Sequence, residues 1–346
     1  MNNSHTIRVG IVGAGQNTCS RHIPGLQAVD GVEIVSVCNR SKESSQRVAD
    51  TFGIAAVYDR WEQLVEAQDT DAIVIGTWPY LHCPITVAAL NAGKHVMCEA
   101  RMAMNLDEAR SMLEASRKHS GCVAQIVPAP FSLGVDKTVQ RLLSEGYVGE
   151  LLVIDIRDQG GTFLDTGDAL TWRRNRDFSG MNIMSLGIWY ETLMRWAGEA
   201  RRVTAMAKTW VKQRREIETG EMKAVHVPEH IDVLAEMANG AQARILISSV
   251  MGAAASTEAW LCGSDGTLRF ADGKLCGVQK ENGSMKEISP LPGEAAKWRV
   301  EDEFIGAIRG QEPIRLTDFE SGVRYMAFTE AVFRSLEDGR TIDVEA

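Results

Sequence analysis

The stretch IRVGIVGAG, residues 7–15, is an apolar run that leads directly into a glycine turn. A strand that feeds a helix through such a turn presents backbone N–H groups and the positive end of the helix to a phosphate. Gly13 permits the tight turn, and Gly15 lets a pyrophosphate approach the backbone without a Cβ in the way. Thr18 stands where a third glycine would complete the dinucleotide-binding fingerprint, so the turn alone is a weak signal.

The composition indicates a globular chain of two domains. Its 346 residues are enough for two cores, and fractions of 24% charged and 45% hydrophobic residues are ordinary for a folded protein. The net charge of −9 argues against a nucleic-acid partner, because that binding depends on clustered Lys and Arg. The longest apolar stretch, 245–255, is interrupted by Ser and Gly and is too short to span a membrane.

The seven cysteines include no C-x-x-C pair, and most of them lie inside apolar runs. Free, buried thiols are typical of a reducing compartment. No positively charged leader precedes an apolar segment, so we expect no signal peptide and a cytoplasmic protein. We also expect no metal site, because Pro228 disfavours the helix that would place His226 and His230 on one face.

Residues 1–127 alternate short apolar strands with helical patterns and form the first predicted domain. The predicted strands of this domain are 7–12, 32–38, 55–58, 72–75 and 95–98. The predicted helices are 20–29, 44–52, 61–67, 81–92 and 106–118, the last capped by Asn105. Strands that are apolar throughout and separated by helices predict a parallel, doubly wound sheet, in which ligands bind beyond the carboxyl ends of the strands.

Residues 128–346 form the second predicted domain and have a different pattern. Longer strands are predicted here at 151–156, 202–208, 231–238 and 242–249. Asn239-Gly240 predicts a type I′ hairpin between the last two. Two helices are predicted at 300–309 and from Thr317 onward, the second opening with a Thr-x-x-Glu capping box. The pattern favours a mostly antiparallel sheet.

Two stretches of the first domain, GTWPYLH at 76–82 and ALNAGKHVMCE at 89–99, resemble the Gfo/Idh/MocA family of NAD(P)-dependent oxidoreductases. The likeness continues through 146–150, Trp172-Arg173 and 179–198, and so covers essentially the whole chain. The resemblance implies an α/β fold, in which a Rossmann domain is joined to an α/β domain with a large, mixed, mostly antiparallel, open-faced sheet. It also implies hydride transfer between nicotinamide and a small sugar, cyclitol or related carbonyl compound, in a homodimer or homotetramer.

The chain departs from this family at the residues that carry protons. In the family a Glu on the fifth strand is followed by Lys-Pro, whereas here Glu99 is followed by Ala100 and Arg101. The family's Asp-x-Gly-x-His motif has Ser185 in place of the Asp and Trp189 in place of the His. A guanidinium stays protonated and is a poor proton relay, but it can hold a carboxylate or a developing oxyanion. We expect Arg101 to contact the ligand; the alternative is that it pairs with Glu99 and only fixes its loop.

Tyr190 and Glu191 follow Trp189 on a predicted helix and are the nearest proton carriers in the sequence. We therefore predict catalytic roles for Arg101, Tyr190 and Glu191, with ordered water as another source of the proton. The alternative for Tyr190 and Glu191 is a packing role.

The predicted coenzyme-binding residues lie in the loops that follow the strands of the first domain. They are Gly13, Gly15, Gln16, Asn17, Thr18, Asn39, Arg40, Ser41, Thr77, Trp78, Pro79, His82, Glu99 and Arg101. A carboxylate after the second strand favours NAD, and the run Asn39-Arg40-Ser41 has none to repel the extra phosphate of NADP. The sequence therefore favours NADP(H), with NAD(H) as the alternative. For His82 a structural role is an equal alternative.

The predicted substrate-binding residues are Trp172, Arg173, Ser185 and Trp189. The run WRRNR at 172–176 carries three arginines in an acidic chain and suits an anionic substrate; an exposed charge run is the alternative.

The sequence thus predicts an NAD(P)-dependent oxidoreductase with a rebuilt proton-transfer site. Because three proton-carrying positions have changed together, the alternative is a family member without ordinary dehydrogenase activity, such as a ligand-sensing or regulatory protein, a lyase or a hydrolase. The absorbance of reduced nicotinamide during incubation with candidate substrates distinguishes the two.

Overall fold

A computed structural model describes residues 6–217, 219–281 and 283–345. The chain divides into two compact units. Unit 1 comprises the described residues up to Pro128 together with Arg299–Val323. Unit 2 comprises Ala129–Trp298 and the described residues from Arg324 onward.

The strands are β1 (Ile7–Val12), β2 (Val32–Cys38), β3 (Ala56–Val57), β4 (Ala72–Ile75), β5 (His95–Cys98), β6 (Ala124–Ile126), β7 (Leu151–Gln159), β8 (Ala200–Lys208), β9 (Gln213–Arg215), β10 (Met222–Ala224), β11 (His230–Met237), β12 (Gln242–Ser248), β13 (Ser256–Gly263), β14 (Gly266–Ala271), β15 (Lys274–Gln279), β16 (Lys286–Glu287) and β17 (Ile342–Asp343). The α-helices are α1 (Ile23–Gln27), α2 (Lys42–Phe52), α3 (Trp61–Glu66), α4 (His82–Asn91), α5 (Leu106–Lys118), α6 (Asp136–Ser144), α7 (Arg176–Ser179), α8 (Leu186–Ala197), α9 (Val300–Ile308) and α10 (Phe319–Asp338).

Unit 1 is built on a parallel sheet whose described strands follow the order β3-β2-β1-β4-β5-β6. This is the strand order of a Rossmann fold, and it confirms the predicted doubly wound sheet. Strand β4 is buried at every position, as expected where helices cover both faces of a sheet. The carboxyl ends of β1, β2, β4 and β5 therefore meet at one edge.

The helix that follows β1 is not a regular α-helix. Helical residues run from Gln16 to Gln27, and Thr18–His22 within them form a π-helical turn, in which the Ile23 N–H bonds the Thr18 carbonyl. The predicted helix at 20–29 therefore begins four residues too late. A π turn inserts one extra residue per turn, and such turns are frequent at functional sites.

The segment Arg299–Val323 belongs to unit 1, although the predicted second domain ran without a break from residue 128 to 346. Two buried polar contacts hold this segment: Glu301 lies 2.5 Å from Nδ1 of His22, and Glu303 accepts a 3.2 Å hydrogen bond from Gln125. Long-range pairs of this kind leave no mark on local periodicity, so the sequence pattern could not reveal the return of the chain.

Unit 2 is built on a mixed sheet whose described strands follow the order β16-β15-β14-β13-β7-β12-β11-β8-β17. Strands β7 and β12 are parallel, and the other neighbours are antiparallel, as predicted. Alternate residues such as Ile154, Ile156 and Val233 are buried on one face. The opposite face is open: Met206 on this face is 78% exposed and Leu234 is 47% exposed.

Strands β11 and β12 form the predicted hairpin, but the turn is of another type. A type I′ turn needs positive φ at both central residues, and at Asn239-Gly240 only Gly240 has it, with φ of 91°. The Met237 N–H instead bonds the Ala241 carbonyl across a three-residue loop, which ends on the left-handed glycine. Among the described residues, no helix combines the length and the apolar character that crossing a membrane requires.

Candidate active site

The edge formed by the carboxyl ends of the unit 1 strands carries the glycine turn. Gly13 has φ of 85°, and a Cβ added to it would lie 2.6 Å from the Thr77 nitrogen. Gly15 is exposed, and the nearest atom to an added Cβ would be the Gly76 carbonyl oxygen at 3.8 Å. Gly13 thus serves the fold of the turn, whereas the surface above Gly15 is open to a ligand.

Thr18 occupies the position of the missing third glycine and packs against the loop after β4. Its hydroxyl donates to the Gly13 carbonyl at 3.3 Å. A Cβ on Gly76 would overlap both the Thr18 hydroxyl and the Gly13 carbonyl oxygen. The helix and the loop after β4 therefore pack closely because residue 76 of the loop, and not residue 18 of the helix, is a glycine. Gln16 and Asn17 are exposed at the start of the helix.

The loop after β2 is held by its own polar side chains. Asn39 accepts a 2.6 Å hydrogen bond from the Ala14 N–H and donates to the Ser44 hydroxyl at 3.1 Å. Ser41 caps helix α2 by accepting from the Ser44 N–H at 3.2 Å. Arg40 is exposed, and its guanidinium lies 5.8 Å from the centre of the Trp78 ring. Asn39 therefore supports the glycine turn, and Arg40 is the cation that this loop presents.

His82 joins the loops after β4 and β5. Its ring nitrogens lie 2.9 Å from the carbonyl oxygens of Thr77 and Arg101. Burial lowers the pKa of His82, so the neutral ring donates to one carbonyl at a time. The geometry gives His82 a structural role. Pro79 is buried in the same loop, and Arg101 is 8% exposed.

Glu99, at the end of β5, belongs to a buried charge cluster. Nε2 of His22 lies 3.0 Å from Glu99, while its Nδ1 lies 2.5 Å from Glu301, and Asn17 donates to Glu99. Burial by itself would lower the pKa of His22, but hydrogen bonds to Glu301 and Glu99 outweigh it and raise that pKa to about 9. The same contacts with His22 and Asn17 hold the pKa of Glu99 below its usual value, against the effect of burial. Sequence reasoning missed His22 and Glu301, whose only local signal is a histidine and a glutamate in otherwise ordinary helical patterns.

These residues fit a dinucleotide coenzyme. The open surface at Gly15 suits a pyrophosphate, and the buried Thr77 hydroxyl oxygen has no hydrogen-bond partner at the carboxyl end of β4. The predicted residues after β1, β2, β4 and β5 are brought to one edge of the sheet, which is where ligands of such sheets bind.

In unit 2 the structure speaks against the predicted catalytic roles of Tyr190 and Glu191. Tyr190 is fully buried, stacks on Phe328 and accepts a 3.0 Å hydrogen bond from the Ala200 N–H. Burial raises the pKa of its phenol. Glu191 is 3% exposed, accepts from the Ala129 N–H and pairs with Arg195 at 2.7 Å. Both side chains hold the core of the unit, because helix α8 turns this face inward.

The arginines at 172–176 have partners within the chain. The Arg173 guanidinium lies 4.3 Å from the centre of the Trp172 ring, and Arg176 lies 4.3 Å from that of Phe333. Arg174 pairs with Asp168 at 3.7 Å. These contacts do not favour an anionic substrate over a neutral one.

Ser185 and Trp189 meet at a carboxylate that the sequence prediction did not include. Asp158, near the end of β7, accepts from the Ser185 hydroxyl at 2.5 Å and from Trp189 Nε1 at 3.0 Å. Thr257 donates to its other oxygen at 3.2 Å. The sequence predicted that this strand ends at residue 156, whereas the alternation of inward and outward side chains continues to Asp158. A carboxylate at an inward position was the sequence signal that could have identified this residue.

The described part of the chain contains no group of three or more His, Cys, Asp or Glu side chains arranged to hold a metal. His230 opens β11 and lies 3.0 Å from Asp232, its neighbour on the same face of that strand.

Comparison with known proteins bears on both units. Residues 7–126 match the family described as "Oxidoreductase family, NAD-binding Rossmann fold", and residues 137–269 match the "GFO/IDH/MocA C-terminal domain". The chain is 28% identical to glucose-fructose oxidoreductase domain-containing protein 2 of Xenopus laevis, over 97% of this chain and 93% of that protein. It is 30% identical to D-glucoside 3-dehydrogenase of Escherichia coli, over 44% of each chain.

Solved structures agree in fold. Levoglucosan dehydrogenase in complex with NADH and levoglucosan superposes with a TM-score of 0.85 at 18% identity, covering 98% of this chain and 100% of the other. Since the family matches together span most of the sequence, the chain belongs to the Gfo/Idh/MocA family of oxidoreductases, with an NAD-binding Rossmann fold in unit 1.

Proposed function

We propose that this protein is an NAD(P)-dependent oxidoreductase that moves a hydride between nicotinamide and a sugar, a cyclitol or a related carbonyl compound. The observation that carries the proposal is the glycine turn at the end of β1. Gly13 has the left-handed conformation that the turn needs, and Gly15 presents bare backbone at the edge where dinucleotides bind in such sheets.

The residues of unit 1 would bind and orient the coenzyme. The turn at Gly13 and Gly15 would hold the pyrophosphate, and the Thr77 hydroxyl would donate to a polar atom of the coenzyme. When bound, a nicotinamide coenzyme supplies or accepts a hydride. Arg101, fixed through its carbonyl by His82, would hold or polarise the reacting oxygen, since a guanidinium keeps its charge and donates in a fork.

The substrate class is supported by relatives that act on polyols. D-glucoside 3-dehydrogenase and the inositol 2-dehydrogenase of Salmonella typhimurium, 27% identical over 51% of this chain, are named for such substrates. In unit 2, Asp158 and the hydroxyls of Ser185 and Thr257 offer the acceptors and donors that a polyol needs. Trp189, predicted to contact the substrate, is itself buried, and Phe131 packs on it with ring centres 4.4 Å apart and is 37% exposed, so Phe131 presents the apolar surface here. Trp172 and Arg173 remain proposed substrate contacts.

The coenzyme preference is proposed to be NADP(H). The run Asn39-Arg40-Ser41 contains no carboxylate that would repel an additional phosphate, and Asn39 bonds the Ala14 N–H. Arg40 is exposed and would pair with that phosphate. Dissociation constants for NADPH and NADH measured by calorimetry check this preference. Tighter binding of NADH would overturn it.

We also propose a cytoplasmic homodimer or homotetramer. All seven cysteines are free, which supports a reducing compartment. The open face of the unit 2 sheet, with Met206 and Leu234 exposed, supports association of copies. Light scattering at micromolar concentration tests the assembly, and a monomer there would contradict it.

The function is tested with a matched pair of glycine variants. Gly15→Ala adds a methyl group where the structure leaves room but where the pyrophosphate would lie, so folding should be unchanged and the coenzyme dissociation constant should rise at least tenfold. Gly121→Ala, a position with nothing within 4 Å of the added Cβ, is the control and should bind as the wild type does.

Absorbance of reduced nicotinamide during incubation with a panel of sugars, polyols and carbonyl compounds completes the test. A substrate-linked change supports the oxidoreductase. Coenzyme binding without turnover across the panel would favour a non-redox or regulatory family member instead, and no uptake of either coenzyme would end the proposal.

A further inference from the structure

Asp158 is the polar end of an apolar row. Residues at every second position of β7 face inward, and the row of Ile154 and Ile156, which are fully buried, ends in Asp158. Its neighbours in register are Thr257 on β13 and Ile247 on β12. Asp158 itself is only partly buried, and Thr257 beside it is exposed, so this carboxylate can be reached from outside the core.

The donors around Asp158 include the two residues that replace the family's proton carriers. The Ser185 hydroxyl and the Trp189 indole both donate to the same oxygen, Oδ2, and Thr257 donates to Oδ1. The motif has therefore lost its own acid and its own imidazole, but both replacement side chains converge on a carboxylate supplied by another segment of the chain.

The Ser185 hydroxyl bonds Asp158 and does not cap the helix that it precedes. It stands at the N-cap of α8, where a serine side chain ordinarily accepts from the first turn of its helix, yet it makes no such cap. The preceding residue, Met184, has φ of 44°, a left-handed conformation that is unfavourable for a residue with a side chain. A backbone outlier beside a serine that donates to a carboxylate is typical of a site arranged for chemistry rather than for stability.

We propose that Asp158 is the proton acceptor of the reaction and that Ser185 relays the proton to it. The proposal rests on the oxidoreductase function proposed above. In the oxidising direction the substrate's C–H and O–H bonds break and a C=O double bond forms. The hydride, with two electrons, goes to the oxidised nicotinamide coenzyme. The hydroxyl proton goes to Ser185 Oγ, whose own proton passes to Asp158, and the resulting carboxylic acid returns it to solvent.

The geometry favours this pair over the other proton carriers of α8. Tyr190 and Glu191 are buried and bonded to Ala200, Ala129 and Arg195, so neither can exchange a proton without breaking the core. Trp189 donates only and fixes the orientation of the carboxylate, which makes it a positioning residue.

The test compares Asp158→Asn with Asp155→Asn. The amide at 158 keeps the size and one acceptor oxygen but cannot take the proton. We expect kcat for polyol oxidation to fall by about 100-fold or more, the acidic limb of the pH–kcat profile to disappear, and coenzyme affinity to stay unchanged. Asp155 lies on the same strand with its side chain on the other face and pairs with Arg157, so Asp155→Asn is expected to keep the wild-type profile.

The relay is tested with Ser185→Ala and Ser185→Thr. The alanine variant should lower kcat about tenfold, and the threonine variant, which restores a hydroxyl, should recover most of that loss. Thermal unfolding of each variant verifies that it is folded, and coenzyme binding should be unchanged.

The outcomes separate this inference from the function on which it rests. Asp158→Asn with near-wild-type kcat, or with reduced kcat and an unchanged pH profile, would overturn the proton-acceptor role while the oxidoreductase stands. A wild-type protein without turnover on the panel would overturn both.

Discussion

The coenzyme edge of unit 1 and the Asp158 cluster of unit 2 are built in different ways. The first is made of backbone: a glycine turn, bare peptide at Gly15 and loops that follow parallel strands. The second is made of side chains from β7, β13 and the start of α8, which are distant in the sequence. The chain keeps the glycine turn at the end of β1, and it differs from the family pattern at Ser185 and Trp189, where the family has its Asp and His. Backbone sites tolerate few substitutions, whereas a proton can be carried by a carboxylate from any segment that reaches the site.

The largest loss of stability and of coenzyme affinity is expected from a substitution at Gly76, beside the glycine turn. Gly76→Ala would place a Cβ against the Thr18 hydroxyl and the Gly13 carbonyl oxygen, and the carbonyl belongs to the turn itself. We expect a loss of about 3 kcal/mol in the free energy of unfolding and a rise of roughly 100-fold or more in the coenzyme dissociation constant. Urea unfolding and coenzyme titration measure the two effects.

A second substitution sharpens this result. Thr18→Gly in the Gly76→Ala background removes one overlap but leaves that with the Gly13 carbonyl, so only part of the stability should return. Full recovery would mean that the packing of Thr18, rather than the turn, sets the requirement for glycine at 76.

An intermediate effect is expected at the charge cluster behind the coenzyme edge. The pKa of His22 is raised from 6.5 to about 9, so protonated His22 stabilises the folded state fully below pH 6.5, and this contribution is lost as the pH rises through 9. Glu301→Gln should cost about 2 kcal/mol at pH 6.5 and should make the decline in stability between pH 6.5 and 9.5 shallower. Urea unfolding across this range is the measurement.

The control for this experiment is Asp59→Asn, which breaks an exposed pair with Lys42 in the same unit. It should leave both the stability at pH 6.5 and its pH dependence as they are in the wild type. Equal pH dependence in Glu301→Gln and the wild type would refute the buried cation at His22.

The smallest effect is expected in the core of unit 2. Tyr190→Phe removes the acceptor of the Ala200 N–H and keeps the ring stacked on Phe328, so the cost should be about 1 kcal/mol, with kcat within a factor of two of the wild type. Thermal unfolding and steady-state kinetics check the two values. A tenfold drop in kcat without loss of stability would mean that Tyr190 takes part in catalysis, and the assignment of proton transfer to Asp158 and not to Tyr190 would fail.

The parts of the fold that depend on contiguous residues were predictable. Strands β2, β4 and β5 match their predicted bounds, and Asn105 caps α5 by accepting from the Glu108 N–H at 2.8 Å. At the helix predicted from Thr317 onward, α10 begins at Phe319, and Asp318 accepts from the Ser321 N–H at 2.7 Å at its start. Residues that cap a helix are read from contiguous sequence, so only the exact first residue was left open.

The candidate site divides in the same way. The glycine turn is contiguous and was recognised, whereas Asp158 and Ser185 are 27 residues apart and meet only because β7 runs beside the start of α8. Tyr190 and Glu191 were chosen for chemistry alone, and the sequence did not show which face of α8 is buried, since α8 is buried at most of its positions.

The contact between His22 and Glu301 joins residues 279 positions apart. During synthesis, His22 and Gln125 therefore leave the ribosome long before Glu301 and Glu303, the buried partners to which they bond. Small domains ordinarily mature in the order in which they are made. Unit 1 is translated first but is completed only when Arg299–Val323 has been made. A fragment that ends at residue 128 should therefore have an incomplete core and should not bind the coenzyme.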